Sequence, residues 1–298
     1  MLYLGDQKIG SVKTFIPSIG GEGIDREVSA QGIYQMPTSA FAFVLPSNAT
    51  NLSATALYYA FQNCLSLTSA DLSSLTSISG ARAMSYAFSG CTSLTSVDLS
   101  NLTSIGTGGF SLSYAFSGCT SLTSVDLSNL TSISGGNYML EYAFMGCTSL
   151  SSIDLSSLTL LSGSSALSQA FRNCTNLTSV DLSSLTSVRG TNALTNAFYG
   201  CTNLTTVDLS SLSTISGGAD LQYAFRNCTS LTSLSFPSLN SNSFGSYTNQ
   251  FSNMLRGVSG CTVHFPSNLQ SVIGSWDDVV AGFGGTNTTI LYDLPATT

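Results

Sequence analysis

One unit, repeated seven times, constrains this chain more than any other property of it. A clear copy reads Tyr114-Ala115-Phe116-Ser117-Gly118-Cys119-Thr120-Ser121-Leu122-Thr123-Ser124-Val125-Asp126-Leu127-Ser128. The Ala-Phe pair returns at Phe61, Phe88, Phe116, Phe144, Phe171, Phe198 and Phe225, and a cysteine follows three residues later each time, from Cys64 to Cys228. The period is 27 or 28 residues. A fixed period in this range is the mark of a solenoid, whose units are too small to bury an apolar side alone and bury it against their neighbours.

Within each unit the apolar positions predict three segments. Leu94, Val97 and Leu99 follow an L-x-x-L-x-L pattern in which Val97 and Leu99 point inward while Ser96, Asp98 and Ser100 point out, as in a short strand. Leu102 and Ile105 supply a second inward pair on an extended return. Leu112, Ala115, Phe116 and Cys119, spaced 3, 1 and 3, share one stripe at helical period, which predicts a short helix in every repeat. The expected fold class is an α/β repeat solenoid, a right-handed leucine-rich-repeat stack of strand, extended return and short helix. Residues 41–266 form the solenoid, residues 1–40 an N-terminal docking or capping segment and residues 267–298 a C-terminal cap. The first segment opens with an alternating strand pair between Leu2 and Val12 and continues through a loop from Gly20 to Gly32; in the last, Trp276 is the expected plug.

Charged residues make up 8% of the 298, against roughly 25% in an ordinary soluble domain. Eight Lys and Arg face fifteen Asp and Glu, for a net charge of −7. Scattered cations argue against nucleic acid, which needs clustered basic side chains, and against an acidic membrane surface. No apolar stretch reaches transmembrane length, and Met1 to Ile16 does not read as a secretory signal, so export by that route is not expected. Seven of the eight cysteines occupy one repeat position and are expected as free, buried thiols, because columns on neighbouring helices about 8–10 Å apart are too distant for a disulfide. Cys261, outside the column, is the one expected at the surface.

The A-F-x-x-C-x-x-L-x-x-V-D-L-S unit resembles the BspA-type leucine-rich repeat, over residues 43 to about 266. The ending from Phe265 to Pro295 is similar to the closing module of such proteins in gut bacteria and their phages, and the opening Leu2 to Val12 resembles short N-terminal modules of phage structural proteins. The resemblance implies a non-enzymatic binding or display protein, foremost a phage virion component such as a head or tail fibre or a decoration protein. Its partners would be other virion proteins, through the N-terminal segment, and a host-surface or mucosal protein or glycan; a homo-oligomer is open. The alternative is a bacterial cell-surface or secreted adhesin.

Two columns are candidate contact sites. Asp71, Asp98, Asp126, Asp154, Asp181 and Asp208 hold one outward strand position, and Ser235 breaks the series. With strands about 4.8 Å apart this makes a row of like charges. Either neighbouring Ser and Thr hydroxyls satisfy the carboxylates, or the row takes a cation, calcium being the one suited to oxygen ligands, or a basic or hydroxyl-rich ligand. Tyr59, Tyr86, Tyr114, Tyr142 and Tyr223, with Gln169 and Asn196 between, form the second column, whose rings either wedge between repeats or stack on sugars. The variable segments 106–113, 134–141 and 189–195 are where specificity for a partner would lie. For catalysis, the lone His264 has no motif beside it that would make a nucleophile and base, so no enzyme is expected.

Overall fold

The computed structural model describes Tyr3–Leu4, Gln7–Lys8 and residues 41–296, apart from residues 46, 48–49, 53–55 and 246–248. Each Ser-Val-Asp triplet makes a strand of three residues in which only the middle side chain is buried, as in Ser96–Asp98 and Ser124–Asp126. So short a strand is held by its neighbours: seven of them, from Phe41–Val44 to Thr206–Asp208, pair in parallel in chain order to form the first sheet. The return segments form a second parallel sheet of seven, from Asn51–Leu52 to Thr214–Ile215, with Ile105 and Ile133 inward between exposed or half-exposed neighbours. Beyond these, Ser233–Ser235, Thr262–Pro266 and Thr289–Leu294 make a three-stranded parallel sheet at the C-terminal end.

The third side of each coil corrects the expected helix. In the unit around Phe116, Ala115, Ser117 and Cys119 donate to carbonyls three residues back, whereas Leu112, Tyr114, Phe116 and Gly118 donate to the next coil, at 2.7–2.9 Å. The segment is a run of overlapping β-turns that hydrogen-bonds from coil to coil like a sheet. The cause is conformational: Tyr114 and Gly118 have φ of 57° and 75°, left-handed values that no α-helix accommodates. Every unit repeats this, with Asn or Gly just before the cysteine, the residues that tolerate such a φ most readily. Among the described residues α-helix is confined to Gln270–Ile273 and Asp277–Val280, in the C-terminal cap.

The helical stripe nevertheless names the right core residues. The seven phenylalanines are buried and stack along the solenoid with centroids 5.1–5.5 Å apart and planes within 8° of parallel. All eight cysteines are free and buried, Cys261 included, so the expectation of a surface thiol there is overturned: Cys261 is fully covered in the C-terminal end of the core. From Cys91 to Cys228 each thiol donates to the carbonyl of the phenylalanine one coil back, Cys119 Sγ to Phe88 at 3.1 Å. The distance argument from helix packing falls with the helix; the six thiols from Cys91 to Cys228 each have a hydrogen-bond partner of their own instead.

Past the last unit, Phe251, Phe265 and Phe283 pack edge-on or tilted in place of the parallel spine, and Trp276 meets Phe244 edge-on at 5.1 Å. Trp276 is half-buried there, against the core. At the other end Tyr3–Leu4 pairs antiparallel with Gln7–Lys8; the rest of the expected docking segment 1–40 lies outside the described residues.

Candidate functional site

In the first sheet the register brings Asp71, Asp98, Asp126, Asp154, Asp181 and Asp208 opposite one another, strand after strand. Each carboxylate is anchored by its own chain. Its Oδ1 accepts the backbone N–H of the serine two residues on, at 2.9–3.0 Å from Ser73 to Ser210. At Asp71, Asp98 and Asp126 the same oxygen also accepts that serine's hydroxyl, at 2.6–2.7 Å. This is the Asx-turn habit of Asp-x-Ser, and it closes every strand of the row. The second oxygen, Oδ2, is left for an outside donor.

On the same face Ser69, Ser96, Ser124, Ser152, Ser179 and Thr206 run parallel to the aspartates. Two shallow hollows follow them, one of about 610 Å³ around Asp154, Asp181 and Asp208, another of about 520 Å³ around Asp71, Asp98 and Asp126. Acceptors and hydroxyls alternate on a rigid frame, a chemistry suited to guanidinium, ammonium or hydroxyl donors. Among the described residues no three His, Cys, Asp or Glu side chains converge as metal ligands. His264 continues the column past Ser235, with Nδ1 3.0 Å from both carboxylate oxygens of Asp293.

The tyrosine column lies on the turn side. Tyr59, Tyr86, Tyr114 and Tyr142 stack with centroids 4.5–4.7 Å apart and planes within 15° of parallel, all half-buried. Their faces are occupied by one another, so sugar stacking on those faces has no room; edges and hydroxyls are what the ladder offers. Burial raises Tyr59 to about 12 and raises Tyr86 and Tyr114 as well, so the phenols are neutral donors. Gln169, in the next coil, donates to the Tyr142 hydroxyl and ends the stack.

Beyond it the ladder changes character in a way the sequence reading missed. Arg172 Nη1 donates to Gln169 Oε1 at 2.6 Å, and its guanidinium lies 4.8 Å over the ring of Tyr199. Arg226 lies 5.1 Å from the same ring and 5.5 Å from that of Tyr223. The signal was available: Arg172, Tyr199 and Arg226 fill the position after Phe in consecutive units. Two carboxyls, one half-buried and one buried, were also missed. Burial pushes Glu141, beside the tyrosines, up to about 7. It does the same to Asp220, which is fully covered in a column that holds Ala83, Ala166 and Ala193 in other coils.

With this geometry in place, comparison with known proteins assigns the chain. The family model for the BspA type leucine rich repeat region matches in six copies, in overlapping stretches that run from residue 31 to residue 274. The chain belongs to this family. No curated protein matches it. Among solved structures, a leucine-rich repeat protein of T. pallidum is similar at 28% identity, over 64% of this chain and 78% of that one, with a TM-score of 0.43. A leucine-rich repeat protein from Bacteroides ovatus is similar at 18% identity over 97% and 98% of the two chains, TM-score 0.24. An internalin from Listeria monocytogenes is similar at 16% identity over 80% and 65%, TM-score 0.25. BspA-type proteins are in general non-enzymatic binding scaffolds, typically at the bacterial surface or outside the cell.

Proposed function

We propose that this BspA-type protein is an adhesin-type scaffold that binds a host-surface or mucosal protein or glycan through the aspartate–hydroxyl face of its first sheet. The observation that carries the reading is the row itself: six carboxylates, each fixed through Oδ1 and open at Oδ2, on strands locked in register. Preordered acceptors lose little entropy on meeting donors, which is how a flat polar face gains affinity. The thiols are buried and hydrogen-bonded and His264 is engaged by Asp293, which is consistent with binding rather than chemistry. The test is a screen of immobilised host glycans and matrix proteins with the parent and with Asp154→Ala/Asp181→Ala. Binding by the parent that the double variant loses tenfold or more supports the face; equal binding by both moves the site elsewhere.

Display on a phage particle is the finer reading, and it rests on the resemblance of the opening and closing segments to phage-associated modules. Mass spectrometry of purified virions tests it: peptides of this chain in the particle support a fibre or decoration protein, and their confinement to bacterial envelopes leaves a cell-surface adhesin.

A further inference from the structure

We propose that the arginine column on the turn side of one copy docks on the aspartate row of a second copy, joining solenoids side to side. In a chain with few cations, Arg172 and Arg226 sit two coils apart and hold Tyr199 between them. Stacking, and the bond from Arg172 to Gln169, fix both guanidinium planes before any partner arrives. Their Nε atoms are buried against the aromatic column without a hydrogen-bond partner, and among the described residues no Arg or Lys pairs with a carboxylate, the one acid–base contact being His264 with Asp293. The two positive charges are therefore uncompensated. On a separate side of the same coils, six carboxylates are equally uncompensated, each with Oδ2 unused.

The two columns match in spacing because both repeat once per coil of the same solenoid. Guanidiniums two coils apart meet carboxylates two coils apart, such as Asp126 with Asp181 or Asp154 with Asp208, whichever coils are aligned. A remaining Nη N–H of each guanidinium can donate to the open Oδ2 in a charge-assisted pair, so the register is specified by the two-coil spacing as well as by charge. The two patches differ, which makes the contact heterologous: it adds copies in one direction unless the rotation closes a ring. The inference shares the aspartate row with the adhesin reading but needs no outside ligand, so the mass of the chain alone tests it apart from any host binding.

Sedimentation velocity over a range of concentrations, on the full chain, tests it. At low salt the mean mass should rise with concentration, and it should return to the monomer in 1 M NaCl, where the screening length is about 3 Å. Arg172→Glu/Arg226→Glu and Asp126→Arg/Asp154→Arg, which breaks every two-coil carboxylate pair of the row, should each be monomeric alone, and an equimolar mixture should regain mass, because each supplies the patch the other lacks. If a charge-reversed variant does not fold by circular dichroism, Arg172→Gln/Arg226→Gln and Asp126→Asn/Asp154→Asn take their places. A parent that stays monomeric at low salt, a variant that associates as the parent does, or a mixture that stays monomeric overturns the proposal.

Discussion

At the scale of single residues the repeat turns ordinary side chains into protected ones. Each column thiol from Cys91 to Cys228 donates to a carbonyl that also accepts a backbone N–H, as Phe88 does from Cys91 N and Cys119 Sγ. Burial pushes Cys119 and Cys201 up to about 12, so almost no thiolate exists at neutral pH, and thiolate is the reactive form. Folded protein should consequently leave Ellman's reagent essentially colourless, and denatured protein should titrate all eight thiols; fewer than eight would reveal disulfides. Asp220 is the other case. Its Oδ2 accepts Gly217 N–H at 2.8 Å, its Oδ1 accepts Ala193 N–H one coil back at 3.4 Å, and its own N–H donates to Gln250 one coil on, whose amide reaches Ile215 O, so this residue ties together three successive coils. Its carboxyl is raised from 3.8 to about 7 by burial. A raised acid is favoured in the folded state when protonated, so its contribution is complete below pH 4, declines between 4 and 7, and is gone above. The slope is about 1.4 kcal/mol per pH unit. Urea unfolding at pH 4.5 and pH 8 should show the parent losing stability relative to Asp220→Asn over that interval; parallel pH profiles would place the group's titration outside it.

At the scale of the element, the spacing of Leu112, Ala115, Phe116 and Cys119 identified every inward residue and misassigned the backbone that carries them. A run of β-turns and a helix both return side chains to one face after three or four residues, so periodicity alone does not separate them. The discriminating sign was the invariant Asn or Gly at positions 63, 90, 118, 146, 173, 200 and 227, a left-handed requirement that excludes helix. The aspartate row was legible because one residue type recurs at an outward strand position in six repeats; the arginine–tyrosine ladder was harder to see because the position after Phe, shared by Arg172, Tyr199 and Arg226, changes residue type from repeat to repeat. Close coil packing leaves its own signature in glycine. A Cβ on Gly190 would lie 2.1 Å from the carbonyl oxygen of Gly163 and 3.0 Å from Ser164 N, all backbone of the preceding coil, whereas one on Gly146, at φ 73°, meets nothing within 4 Å. Gly190→Ala should therefore cost about 3 kcal/mol, the upper range of overpacking, and Gly146→Ala about 1 kcal/mol of backbone strain. Denaturant midpoints of the two variants check the order, and equal losses would mean that the coils move apart freely.

At the scale of the whole molecule, stability is shared between neighbours along one line. Each coil is bound to the next by two sheets, a ladder of turn hydrogen bonds and the phenylalanine spine, and the irregular C-terminal end closes the apolar interior with Phe251, Phe265, Phe283 and Trp276. The same arrangement has a mechanical meaning. Coil-to-coil hydrogen bonds point along the long axis, so tension applied to the two ends opens them one coil at a time, as a zipper opens, instead of shearing many at once. Each coil set free releases 27 or 28 residues, about 90 Å of extended chain. Stretched in an optical trap, the protein should lengthen in a staircase of steps near that size at modest force, and a single jump of the full contour length would show that the coils do not yield separately. A binding scaffold that pays out chain in this way keeps its load low while its attachment point drifts, which is the behaviour of a shock absorber.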